Sequence, residues 1–185
     1  VEWIASDMPT ARRVLDVCTG SGCIAIALAR RITGALVSAI DISNEALAIA
    51  HRNAMRYAPS VEFFEADALA DFSHIAGGEF DVIVSNPPYI PETDKTLMRP
   101  NVTRYEPNIA LFVPDDDPLR FYRAIARQAH TMLSPDGRLY FEIYESLAEE
   151  MKRMLKGEGY GEITVREDFR GKPRMICAKV NLIAR

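Results

Sequence analysis

Asn86-Pro87-Pro88-Tyr89 follows directly on the apolar run at residues 80–85. Two consecutive prolines remove two backbone donors and fix two φ angles. Pro87 also drives Asn86 towards an extended conformation. A rigid corner results where a strand stops, carrying an amide side chain and an aromatic ring. The Asn86 side chain and a neighbouring carbonyl can both accept hydrogen bonds from an NH2 group. Tyr89 beside them can cover a flat substrate. These are the parts needed to hold a planar amide or exocyclic amine while a group is transferred to its nitrogen. The plainer alternative is a tight turn after a buried strand, with Tyr89 as packing.

A second set of residues could hold the donor of that group. Asp16-Val17-Cys18-Thr19-Gly20-Ser21-Gly22 joins an apolar run to a helical pattern. Gly20 and Gly22 allow close backbone approach, and a helix N-terminus supplies free N–H groups. Gly20-x-Gly22-x-x-Ala25 also fits the loose dinucleotide fingerprint, so alone it does not name the ligand. Asp41 closes the next apolar run, where a carboxylate can accept both hydroxyls of a ribose. Asp16 is badly placed against a pyrophosphate but suits an ammonium or sulfonium group. Asp67, after a third run, could take an adenine amine. Three acids at successive strand ends favour a positively charged cofactor without phosphates; each alone could equally be a helix cap.

The elements that must position these groups alternate along the chain. Strands are expected at residues 14–17, 36–42, 61–64, 80–85 and 138–144. Helices are expected at 22–31, 45–56 (after an N-cap at Ser43 or Asn44), 118–133 and 147–156, with a short one near 68–74. Residues 86–117 show no period and hold six of the eleven prolines; a loop that long inside a compact domain is usually functional or mobile. The last two strands, 163–169 and 174–180, have only Gly171-Lys172-Pro173 between them and read as a hairpin. The expected fold is α/β: a mostly parallel, Rossmann-like seven-stranded sheet with a C-terminal antiparallel hairpin and helices on both faces.

Composition excludes several classes. The 185 residues suit one domain with its own core, and 48% apolar with 26% charged residues is a soluble globular balance. No apolar stretch approaches a membrane span, and there is no signal-peptide layout. The unclustered Cys18, Cys23 and Cys177 suit a reducing cytoplasm, and the scattered His51, His74 and His130 argue against a metal site. A net charge of −4 gives no reason to expect tight nucleic-acid binding. Arg99, Arg104, Arg166, Arg170, Lys172 and Arg174 fall in segments able to share one face, although such residues are more often solvated surface.

Together these residues resemble the catalytic domain of the PrmC/HemK release-factor glutamine methyltransferases. The matching stretches are Val14-Leu15-Asp16 through Gly22, Asp41, Ser85 to Pro91, Tyr105-Glu106-Pro107 with Ala110-Leu111, Phe121-Tyr122, Phe141-Glu142-Ile143, and Asp168 with Gly171-Lys172 and Arg174. The Asn-Pro-Pro-Tyr tetrad alone marks amino-group methyltransferases broadly, including those acting on adenine. The Tyr-Glu-Pro stretch narrows the match to protein glutamine methyltransferases, among them a sister group acting on a ribosomal protein. The resemblance implies S-adenosyl-L-methionine as cofactor and S-adenosyl-L-homocysteine as product. The implied cofactor contacts are Asp16, Cys18, Thr19, Gly20, Gly22, Asp41, Ile42, Asp67, Ala68 and Asn86. It implies substrate contacts at Asn86, Pro87, Pro88, Tyr89 and Glu106, with Asn86, Pro87 and Tyr89 at the reaction, and a release factor as protein substrate, methylated on the side-chain amide nitrogen of the glutamine in its Gly-Gly-Gln motif.

Three departures stand out. Cys18 occupies the usual first glycine of the loop and should be tolerated if its side chain points into the core. Tyr144 stands where the family commonly has glycine. The family's N-terminal helical domain, which helps engage the protein substrate, is expected to be absent, with residues 1–185 forming the catalytic domain. The competing readings are an adenine methyltransferase, a nicotinamide-dependent oxidoreductase, and a methyltransferase-like module that only binds a partner.

Overall fold

The computed structural model describes residues 1–75, 77–93 and 111–181. The elements run α1 (Glu2–Asp7), β1 (Arg13–Val17), α2 (Cys23–Arg31), β2 (Leu36–Asp41), α3 (Asn44–Tyr57), β3 (Glu62–Glu65) and β4 (Phe80–Ser85). They continue with the two-residue strands β5 (Ile90–Pro91) and β6 (Phe112–Val113), then α4 (Arg120–Met132), β7 (Leu133–Glu142), α5 (Ala148–Gly157), β8 (Tyr160–Glu167) and β9 (Pro173–Val180).

Among the described residues seven strands form one sheet in the order β3-β2-β1-β4-β7-β9-β8, and β5 pairs with β6 in a separate two-stranded sheet. The strands from β3 to β7 are parallel, whereas β9 runs antiparallel to both β7 and β8. The closing hairpin therefore folds back, with its second strand inserted against β7 and its first left at the edge.

Alternation along the strands builds two cores. Leu15, Val17, Ile83 and Phe141 point to one face and meet Tyr122, Ile125 and Ala129 of α4 and Met151 and Leu155 of α5. Val14, Val82, Val84 and Tyr140 point to the other face, against Trp3 and Ile4 of α1, Ala25 and Leu28 of α2 and Ala54 of α3. Trp3 meets Tyr140 edge to face at 5.5 Å, with the Arg166 guanidinium over it at 4.3 Å. Helix α1, too short for its own pattern to announce it, is held by these long-range contacts.

Some boundaries differ from expectation. No helix forms at 68–74, because two aspartates compete for the backbone. Asp67 Oδ1 accepts the Leu69 N–H at 2.8 Å and Asp71 Oδ1 accepts the Ser73 N–H at 2.9 Å, closing turns instead. Helix α4 starts two residues after Pro118. Strand β7 begins at Leu133, ahead of the expected turn at Pro135-Asp136-Gly137. Its register against β4 shifts between Phe80 and Val82, so these residues form an irregularity in the strand. A Cβ at Gly137 would lie 2.7 Å from the Phe80 carbonyl oxygen, which restricts the position to glycine.

Candidate active site

Register places the chemistry on one edge. Val17 lies opposite Ile40 and Ser85, Asp41 opposite Glu65, and Ser85 opposite Phe141. The segments leaving β1, β2, β3, β4 and β7 thus all emerge at the carboxyl ends of neighbouring strands. The chain winds outward from β1 through β2 to β3 and then returns to β4 on the other side of β1. That reversal opens a crevice above the β1/β4 boundary, where ligands bind in open α/β sheets. Ser85 Oγ donates to the Val17 carbonyl at 2.6 Å, clamping the two strand ends beneath it.

The loop after β1 is shaped by three alternate positions of positive φ. Cys18 has φ +60°, Gly20 +56° and Gly22 +83°. Gly22 also lets α2 approach α3, since a Cβ there would meet Ala50 Cβ at 3.1 Å. A Cβ at Gly20 would meet nothing within 4 Å, so open space lies above that residue. The conformation at Cys18 explains why glycine is the usual residue there. As expected, the half-buried Cys18 side chain packs against the core. Burial, with the charges of Asp41 and Asp16, pushes its thiol pKa up, so it stays protonated.

The two acids flanking this loop are differently committed. Asp41, half-buried, accepts the Gly20 N–H at 2.8 Å and the Ser43 N–H at 2.9 Å, one on each oxygen. Asp16 is fully buried. Its Oδ2 accepts the Thr19 hydroxyl at 2.6 Å and the Ala25 N–H at 3.0 Å, while its Oδ1 is buried without a partner among the described residues. Burial raises the Asp16 pKa to about 7, outweighing the two hydrogen bonds to Oδ2. An acceptor left bare at that cost matches a cationic group arriving from the crevice.

Ile42, 48% exposed, offers an apolar surface at the end of β2. Asp67 holds its turn through Leu69. Ala68 is buried in the core, so a ligand contact there falls to its main-chain atoms. The acids, the open loop and the apolar residue fit S-adenosylmethionine.

The corner after β4 joins the crevice from the other side. Pro87 and Pro88 are buried and Asn86 is exposed, its side chain without a hydrogen bond to any described residue. The Tyr89 hydroxyl donates to Glu142 Oε1 at 3.1 Å, and its ring stacks on Tyr144 with centroids 5.9 Å apart and planes at 25°. Burial first, then the charge of Glu142, pushes the Tyr89 pKa up to about 12, so Tyr89 is no base at neutral pH. The Tyr122 hydroxyl donates to the Glu142 carbonyl at 3.0 Å. Arg174 interacts with Tyr89 and lies 3.7 Å from Asp168 and 3.9 Å from Glu145.

The sequence pattern assigned no role to Glu142, Tyr144 or Arg174. Tyr144 was visible only as a departure from glycine, and its stack on Tyr89 accounts for it. Tyr105-Glu106-Pro107, Arg99 and Arg104 lie outside the described residues, so Glu106 has no place in this geometry. Among the described residues no group of three or more His, Cys, Asp or Glu could hold a metal. No helix of the described residues is long and apolar enough to cross a membrane.

Known proteins resemble this chain in sequence and in fold. The family model "Methyltransferase small domain" matches residues 2–101. A release factor glutamine methyltransferase of Bacteroides thetaiotaomicron is 48% identical over 178 residues, which cover 96% of this chain and 64% of the relative. The corresponding protein of Flavobacterium psychrophilum is 42% identical, covering 98% of the chain and 64% of the relative. The chain thus spans a little under two thirds of these relatives' length. Among solved structures, a ribosomal protein L11 methylase from Lactobacillus delbrueckii subsp. bulgaricus superposes with TM-score 0.67 at 23% identity, covering 96% of this chain and 74% of that one. A Pyrococcus furiosus methyltransferase superposes with TM-score 0.70 at 18% identity, covering 96% and 79%. Both share the fold. Fold, sequence model and relatives agree: this chain belongs to the methyltransferase small domain family.

Proposed function

We propose that residues 1–185 form the catalytic unit of an enzyme that methylates the side-chain amide nitrogen of a glutamine in a peptide chain release factor. One observation carries the reading. An exposed Asn86 stands on a corner of two buried prolines, across the β1/β4 crevice from an open glycine loop with a bare carboxylate oxygen beneath it. The names of the relatives at 42–48% identity supply the substrate. In the relatives' additional length, the resemblance assigns a helical domain to engaging the protein substrate. The free cysteines suit the cytoplasm, where release factors act.

S-adenosylmethionine, when bound, supplies a sulfonium methyl group. Asp41 would hold the ribose hydroxyls with the acceptor capacity its two N–H bonds leave, and Asp16 Oδ1 would take a cationic group of the cofactor. Ile42 and the Asp67-Ala68 turn would hold the adenine. On the other side, Asn86 Oδ1 and the Pro87 carbonyl accept the two amide hydrogens and aim the nitrogen across the crevice.

An amide nitrogen is a poor nucleophile, and its proton is too weakly acidic for any base present here. Positioning is therefore the main source of rate, worth roughly 7–11 kcal/mol when well executed. As the nitrogen turns pyramidal its N–H groups become more acidic, so the bonds to Asn86 and Pro87 strengthen in the transition state. One proton then leaves to solvent. Tyr89, tethered by Glu142 and backed by Tyr144, keeps one ring face to limit rotation of the amide. Pro88 and Glu106 complete the substrate contacts in this reading.

The test offers full-length enzyme and labelled cofactor a release factor and an adenine-containing oligonucleotide together. Label in the release factor alone is expected. Label in the oligonucleotide, which the same tetrad could hold as a flipped base, would overturn the reading.

A further inference from the structure

The far end of the same edge carries a feature that methyl transfer does not use. Strand β8 runs parallel to β7, so the turn between β8 and β9 emerges at the carboxyl edge, beside the Tyr89 corner. Phe169, in that turn, is 94% exposed, the most exposed of the large apolar side chains among the described residues. The next largest value is 79%, at Met55 on α3.

An isolated exposed apolar residue is ordinary on a protein surface. This one is displayed on a rigid mount. Asp168 Oδ1 accepts the Arg170 N–H at 2.8 Å and the Lys172 N–H at 3.1 Å. The backbone closes the turn twice, Gly171 N–H to the Asp168 carbonyl at 3.0 Å and Asp168 N–H to the Lys172 carbonyl at 2.8 Å. Gly171 supplies the positive φ, +74°. Lys172 Nζ pairs with Glu145 at 2.7 Å. The Arg170 guanidinium lies over the Phe169 ring at 5.4 Å and has no carboxylate within ion-pair distance among the described residues.

The turn is also tied to the site. Asp168 approaches Arg174, and Arg174 interacts with Tyr89. Three strand spacings separate β4 from β8, about 14 Å across the sheet. That is too far for contact with the reacting glutamine and suited to the surface around it.

We infer that the Phe169–Arg170 pair is a docking knob for the protein substrate, seating in an apolar socket rimmed by carboxylates some residues away from the methylated glutamine. Aromatic and arginine side chains are the residues that dominate such contacts. Arg170 gives the knob its sign: a carboxylate rim on the partner meets a cation with no competing ion pair. The inference rests on the glutamine reading above and adds where the substrate protein is gripped.

The test compares two acceptors with the full translation product of the gene. One is intact release factor; the other is a pentapeptide with the glutamine central, whose two residues on each side reach only about 7 Å. Phe169→Ala and the double variant Phe169→Ala/Arg170→Ala are expected to raise KM for the protein about tenfold or more. Values of kcat, peptide turnover and S-adenosylhomocysteine affinity should stay within about twofold, and Phe169→Tyr should restore most of the loss. Unchanged KM for the protein, or an equal loss on the peptide, overturns the docking role alone. A wild-type enzyme that methylates neither acceptor sinks the glutamine reading and this inference with it.

Discussion

The two sides of the β1/β4 crevice are built by different means. On the side of β1, β2 and β3, short-range backbone geometry does the shaping: a glycine loop, acids at strand ends, and N–H groups satisfied within a few residues or by the next strand. On the side of β4, β7 and the hairpin, an exposed amide stands on two buried prolines, and the tyrosine beside it is held by side chains distant in sequence. Tyr89 reaches Glu142 across 53 positions, and Lys172 reaches Glu145 across 27. In the proposed reading the first side is a pocket for a ligand common to many enzymes, and the second is a platform whose partners decide which nitrogen is presented.

Substitutions should separate the two sides. Asn86→Ala should lower turnover about 100- to 1000-fold, the usual cost of losing a group that strengthens its bonds in the transition state. Calorimetry should show S-adenosylhomocysteine affinity nearly unchanged. Asp41→Ala should do the reverse, weakening cofactor binding about 100-fold by loosening both the Gly20 loop and the ribose contact. If the two variants lose binding and turnover in the same proportion, the division between the sides is wrong.

A smaller effect is expected at Asp16, with a defined pH dependence. Its folded pKa of about 7 stands above the ordinary 3.8, so the folded state binds the extra proton between those values. Its contribution to stability is therefore present at low pH and lost as the pH rises through about 7. The same ionisation makes Oδ1 a better partner for a cation. Asp16→Asn should weaken S-adenosylhomocysteine binding about tenfold at pH 8 and little at pH 5.5. A pH-independent difference between wild type and variant would remove Asp16 from the cofactor contacts.

Glu142→Gln tests the tether of the platform. It should lower turnover about fivefold, the difference of about 1 kcal/mol between a charge-assisted bond and the neutral one that glutamine can still accept, without touching cofactor affinity. The smallest effect should come from Cys18→Gly. Relieving a left-handed conformation at a non-glycine residue should stabilise the protein by about 1 kcal/mol, raising Tm by about 2–4 °C in a thermal scan.

The same contrast explains what could be read from the chain. The donor side was legible because each of its parts is local: Gly20 and Gly22 imply a tight turn, and Asp41 stands where a strand pattern stops. The sheet was legible too, since period-2 runs and their order imply a parallel core with a folded-back hairpin. The helix expected at 68–74 failed because Asp67 and Asp71 bond nearby backbone N–H groups more favourably than a helix would. Helix α1 was missed because residues far along the chain, Tyr140 and Arg166 among them, give Trp3 its place. The acceptor platform was half legible. Asn86 and the prolines announce a corner, but the stack of Tyr144 on Tyr89 and the reach of Glu142 exist only after β4 and β7 pair. Tyr144, unexplained in a sequence where glycine is usual, becomes the backing of the Tyr89 ring.

The central claim is that the corner presents a side-chain amide. Tandem mass spectrometry of a release factor, incubated with the full-length enzyme and S-adenosylmethionine, tests it most directly. The account predicts one added methyl on the side-chain nitrogen of the glutamine in a Gly-Gly-Gln segment, absent with Asn86→Ala. A methyl on a lysine, a backbone nitrogen or any other atom, or full methylation by the Asn86→Ala variant, would contradict it.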